Sequence, residues 1–171
     1  EERVIAFIKK FGEDLGLPTQ VDHAGNVIIK KPGTKGKEQA TTIALQSHLD
    51  MVHQKNNDTI FNFDTDGIRM KIDGDWVKAE GTTLGADNGI GVATIMTLLA
   101  STDIPHPPLE ALFTIDEETG MTGAFELKGG LLDASILLNL DTEEDNELTI
   151  GCAGGVDVTA TGHYASEAVA P

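Results

Sequence analysis

Apolar residues recur along the chain with two different periods, and the alternation between them outlines a fold. In residues 1–16, Val4, Ile5, Phe7, Ile8, Phe11 and Leu15 fall at helical spacing, and Gly16 and Pro18 supply the stop. Val27-Ile28-Ile29 reads as a short strand, opened by the turn residues Gly25-Asn26 and closed by Lys30, Lys31 and Pro32. Residues 33–40 are a polar loop. Residues 41–45 form a continuous β-prone run, the kind buried on both faces of a sheet, and lead straight into Gln46-Ser47-His48-Leu49-Asp50. After an irregular polar stretch at 51–66, residues 68–72 and 76–79 flank Asp73-Gly74-Asp75 and predict a β-hairpin. Residues 80–87 are a Gly/Thr loop. Residues 88–101 are apolar nearly all round, as in a buried helix. Three prolines then precede a strand at 109–115. Residues 121–127 hold a helical turn or two, and a buried strand at 135–140 ends in Asp141. Residues 148–164 alternate in a strand-like way.

Strands alternating with helices predict an α/β fold, a sheet with helices on its faces. Ligands in such sheets sit beyond the carboxyl ends of the strands. The polar residues at those ends are therefore the ones to weigh for chemistry.

Composition narrows the options. The chain has 171 residues, 12 basic and 28 acidic, for a formal charge of −16. That charge argues against nucleic acid, whose binding depends on Lys and Arg neutralising phosphates, and against anionic membrane surfaces. No run approaches the roughly 18 to 20 apolar residues of a membrane-spanning helix. The single cysteine, Cys152, rules out an intramolecular disulfide, suits a reducing, cytoplasmic setting and is expected to be a small buried hydrophobe. Glycines cluster in 81–91, 120–130 and 151–155, each beside acidic residues, where loops meet something.

Three strands end in metal-capable residues: His48 and Asp50, Glu117 and Glu118, and Asp141. Asp87 opens the glycine-rich helix. Taken singly, each has an ordinary explanation: a hydrogen-bonded histidine, a helix N-cap, a solvated acid pair, a turn residue. Taken together they do not. Strand-end geometry places Asp87, Glu117, Glu118 and Asp141 at one edge of one sheet, and each like-charged pair at about 4 Å costs roughly 4 kcal/mol at an effective dielectric near 20. Two divalent cations would balance the four carboxylates. A mixed imidazole and carboxylate set fits Zn²⁺, with Mn²⁺ or Co²⁺ as substitutes, better than Ca²⁺. Such an ion pair brings the pKa of bound water from 15.7 toward about 7. One of Glu117 and Glu118 could ligate while the other takes the proton, and Asp50 is placed to hold the His48 ring. The chemistry predicted is amide hydrolysis.

The runs His48-Leu49-Asp50-Met51-Val52, Gly81-Thr82-Thr83-Leu84-Gly85-Ala86-Asp87-Asn88-Gly89-Ile90-Gly91, Glu117-Glu118-Thr119-Gly120-Met121 and Asn139-Leu140-Asp141-Thr142-Glu143-Glu144 resemble the aminoacyl-histidine (Xaa-His, cytosolic non-specific) dipeptidases of the M20 metallopeptidases. Residues 54–58 and 151–155 resemble that subfamily too. The resemblance implies a three-layer, zinc-exopeptidase-like catalytic domain with a mixed sheet flanked by helices. It implies that His48, Asp87 and Asp141 hold one zinc, that Asp87 bridges to a second bound by Glu118, that Glu117 is the general base and that Asp50 orients His48. It also implies a cis peptide at Asp87–Asn88, a small dipeptide as substrate, a cytoplasmic location and a homodimer formed through a lid domain.

The family's second zinc takes a further, late histidine that none of His23, His53, His106 and His163 matches, and a surface role is expected for His53. Residues 1–171 thus read as the first part of a catalytic domain, without lid or late histidine, and are expected to be inactive alone. Two competing readings are an N-acyl amino acid amidohydrolase and a non-catalytic, metal-binding acidic module. The acidic stretch of Glu143, Glu144, Asp145 and Glu147 is expected to be a solvated loop.

Overall fold

The helical spacing at the start of the chain is realised as α1 (Glu2–Asp14), whose inner face carries the fully buried Ile8. The computed structural model describes residues 1–142, 146–151 and 154–167. Along it follow β1 (Thr19–Val21), β2 (Val27–Lys31), β3 (Ile43–His48), β4 (Met70–Asp73), β5 (Trp76–Ala79), α2 (Ala86–Ala100), β6 (Leu109–Thr114), α3 (Thr122–Phe125) and β7 (Ile136–Asn139).

Five strands form one mixed sheet in the order β1-β2-β6-β3-β7. β2 runs antiparallel to β1 and β6, whereas β3 runs parallel to both β6 and β7. β6 lies at the centre and is buried along its whole length. Both α1 and α2 pack on one face, where Ile8, Val27, Ile29, Leu45, Ile95, Leu99, Ala111 and Phe113 make the core. Each fully buried side chain of this size contributes roughly 1.5–3 kcal/mol of transfer free energy. On the opposite face Leu112 borders a cavity of about 220 Å³ shared with Met121, Ala124 and Leu127 around α3. The mixed sheet with flanking helices is the α/β architecture expected. β4 and β5 make the predicted hairpin as a separate two-stranded sheet.

Four expectations are corrected. β7 is not buried: Ile136, Leu137 and Leu138 are 46–54% exposed, because among the described residues β7 is an edge strand paired with β3 alone. The apolar circumference of α2 is not buried all round either. Asn88, Gly91, Ile95 and Leu99 face inward at three- and four-residue steps, and Ile90 is 69% exposed. Asp87 does not cap α2; Gly85 takes that position. The alternation over 148–164 makes no strand among the described residues, because alternation alone supplies no hydrogen-bonding neighbour. β1 was absent from the sequence reading; only three residues long, it carries no period to detect.

Candidate metal centre

The parallel register Ile43↔Leu109 and Ile43↔Ile136 brings three strands to a common end. His48 pairs with Thr114 there, and Leu140 N–H donates to Gln46 O at 2.9 Å just before Asp141. The loop after β6 supplies Glu117 and Glu118, and the first turn of α2 supplies Asp87 from above the sheet. The Asp87–Asn88 peptide is cis, as expected.

His48 is the pivot. Its ring is buried, with Nε2 3.0 Å from Asp87 Oδ1 and 3.9 Å from Asp141 Oδ2. Nδ1 faces Asp50, 3.1 Å from its backbone carbonyl and 3.3 Å from Oδ1. A proton on Nδ1 donated toward Asp50 leaves the Nε2 lone pair directed into the acid cluster. Two groups of potential ligand atoms share this ring, each with its members within 4.8 Å of one another: His48 with Asp87 and Asp141, and His48 with Glu117 and Glu118. Asp50 links them, since its Oδ2 accepts the Glu118 N–H at 3.0 Å. All six residues singled out in the sequence therefore converge.

The cluster is electrostatically unbalanced. Burial pushes the Asp141 carboxyl above the usual carboxylate range; His48 opposes this, and Asp87 and Asp50 add to it. Burial likewise raises Glu117, with His48 pulling it down and Asp141, Glu118 and Asp50 pushing it further up. Burial alone would lower the His48 pKa, but Asp87, Asp141, Asp50 and Glu117 together raise it above its ordinary value. One imidazolium cannot offset this many acids. A nitrogen lone pair among carboxylate oxygens at these spacings is the donor set of Zn²⁺, Mn²⁺ or Co²⁺, and the residues present fit such an ion.

Among the other histidines, His53 is exposed and stacks on Phe63 at 5.0 Å between centroids, and His23 faces Glu126. His106 is buried with Nδ1 2.7 Å from Pro107 O, and His163 is exposed. None of them joins either ligand group among the described residues. Cys152 and the acidic Glu143, Glu144 and Asp145 lie outside the described residues, while Glu147 is exposed.

Three polar residues were given no role in the sequence reading: Gln46, Thr114 and Asn139. Gln46 hydrogen-bonds Thr114 Oγ1 at 3.0 Å and also pairs with Asn139, and all three line the cavity that reaches Glu117 and Asp141. Their signal was the interruption of an otherwise apolar run by an amide.

No family model matches the chain. Over 169 residues it is 50% identical to the cytosol non-specific dipeptidase of Escherichia coli (strain K12), a match that covers 99% of this chain and 35% of that protein. The crystal structure of aminoacylhistidine dipeptidase from Vibrio alginolyticus superposes with a TM-score of 0.83 at 52% identity, over 85% of this chain and 30% of that one. A tripeptidase from Staphylococcus aureus gives 0.67 at 25% identity, over 82% and 38%. The chain spans about a third of the length of the dipeptidases it matches.

Proposed function

We propose that this chain belongs with the cytosol non-specific and aminoacyl-histidine dipeptidases it resembles, and that it carries the general base and most of the metal ligands of a dinuclear-zinc dipeptidase. In this reading residues 1–171 are one part of a catalytic domain, and the whole protein hydrolyses dipeptides, those ending in histidine among them. The convergence of His48, Asp87, Asp141, Glu117 and Glu118 on one sheet end carries the reading. His48, Asp87 and Asp141 would hold one ion, and Glu118, with Asp87, would help hold a second. Bound zinc supplies positive charge that polarises the scissile carbonyl and acidifies water.

The chain's own groups do the rest. The Asp50 backbone carbonyl accepts the hydrogen bond from Nδ1–H, with the Asp50 carboxylate alongside, and fixes the ring plane so that Nε2 stays directed at Asp87. Glu117, half-buried and less acidic than a free glutamate, accepts the proton of the attacking water. It returns that proton to the amine nitrogen as the carbon–nitrogen bond breaks, and a carboxylic acid and a free amine result. The cavity bordered by Leu112, Met121 and Leu137 offers an apolar wall beside Glu117 and Asp141 for a substrate side chain.

Among the described residues no helix is long and apolar enough to cross a membrane. A cytoplasmic location and a homodimer built through a lid domain complete the proposal, the location supported by the name of the Escherichia coli relative. In the full-length protein, Glu117→Ala should lower turnover by roughly 10²–10⁴-fold with metal content unchanged. Asp87→Ala should lose both ions. Wild-type turnover in Glu117→Ala would overturn the assignment of the base.

A further inference from the structure

Directly beneath the ligands lies a second set of buried polar atoms that the proposed reaction does not use. Ser47 is wholly buried and Asn88 is 3% exposed. Ser47 Oγ donates to Asn88 Oδ1 at 2.7 Å, joining the end of β3 to the first turn of α2. Gly91, one turn further along α2, lets them meet. A Cβ there would collide with Asn88 Oδ1 and Ser47 Oγ and would stand 2.6 Å from the Leu140 carbonyl oxygen. No side chain other than hydrogen fits that junction.

Each member is the chain neighbour of a candidate ligand. Ser47 precedes His48, Asn88 follows Asp87 and Leu140 precedes Asp141. Strands β3 and β7 are held by their own backbone ladder, but a helix packed on a sheet has no such ladder to set its distance. The Ser47–Asn88 hydrogen bond supplies that distance at the one place where it matters for the ligands. Asn88 Nδ2 is buried without a partner, so the bond from Ser47 is the one that fixes its amide among the described residues. Metal sites tolerate departures of only about 0.2 Å in ligand distance, and a ligand one residue from the junction moves with it.

We propose that Ser47 and Asn88 are positioning residues for the metal centre, their hydrogen bond over Gly91 setting the spacing between His48 on β3 and Asp87 on α2. The inference rests on the reading of His48, Asp87 and Asp141 as ligands.

The test uses the full-length protein and zinc itself as the probe. By chelator competition, Ser47→Ala should bind zinc roughly 10–100-fold more weakly, the range found when a partner behind a ligand is removed. Its metal-free melting temperature should stay within a few degrees of wild type. Turnover should fall at limiting zinc and return with excess zinc, with KM for a dipeptide unchanged; a purely structural defect would not respond to metal. Asn88→Leu should weaken binding similarly, and the double variant should bind no worse than the weaker single, because both act through one bond. Wild-type zinc affinity in Ser47→Ala, or a loss of turnover that excess zinc leaves in place, would overturn the proposal. If the unaltered protein bound no zinc, the ligand reading would fall and this inference with it; normal zinc binding in both proteins would overturn the inference alone.

Discussion

Asp50 shows how much one side chain can organise. Its carboxylate faces His48 Nδ1 with one oxygen and accepts the Glu118 N–H with the other, tying the end of β3 to the loop after β6. Asp50→Ala should therefore weaken zinc binding about 10–100-fold, because the ring loses its orienting acid and Glu118 its anchor; a competition titration measures this. At the far end of the sheet Glu110 is 2% exposed, and its carboxylate meets Lys30 Nζ at 2.6 Å and the N–H groups of Asp133 and Ala134 at 2.8 Å. Lys30→Ala should cost about 1–3 kcal/mol by chemical denaturation, since a buried charge loses a partner. Hydrogen bonds from Lys30 to Asp133 and Glu110 raise the Lys30 pKa. The stability this group contributes is then fully present below its ordinary value near 10.4 and is lost as pH rises through the raised one. Alkaline destabilisation should be shallower in the variant. The candidate ligands were legible in the sequence because His48, Glu117, Glu118 and Asp141 follow apolar runs and Asp87 opens one. Ser47, Asn88 and Glu110 were not, because what distinguishes them is a contact across the fold rather than any local pattern.

Elements were legible in proportion to how strongly burial marks them. β6 and β2 are covered by neighbours, and their continuous apolar runs announced them. β7 and α2 carry equally apolar sequences yet expose part of that surface, so apolar content located the elements but misjudged what covers them. The loop bearing Glu117 and Glu118 is held at its base by Asn26, whose Nδ2 donates to Gly123 O at 2.8 Å and whose Oδ1 accepts from Ile115 N–H at 3.3 Å. At Gly123 a Cβ would clash with Asn26 Oδ1 and lie 2.7 Å from Ile115 N and O. Gly123→Ala should destabilise the protein by about 1–3 kcal/mol, the usual cost of overpacking, and should lower turnover by displacing Glu117. Thermal melting and a steady-state assay check the two effects.

At the scale of the molecule, a chain spanning about a third of the length of the dipeptidases it matches carries a coherent five-stranded sheet and a converged acid cluster. It also leaves Ile136, Leu137, Leu138, Ile90 and Phe125 facing solvent. Residues 1–171 expressed alone should hydrolyse dipeptides at less than a hundredth of the full-length rate, a difference that a coupled amine-release assay resolves. The central claim is that one imidazole and a ring of acids gather here to hold two ions. Anomalous scattering at the zinc edge from crystals of the full-length protein tests it most directly. Two peaks about 3.5–4 Å apart are expected, one coordinated by His48 Nε2 and Asp141, both touched by Asp87, and one by Glu118, with Glu117 coordinating neither. Zinc ligated by Glu117, or no peak within coordination distance of His48, would contradict it.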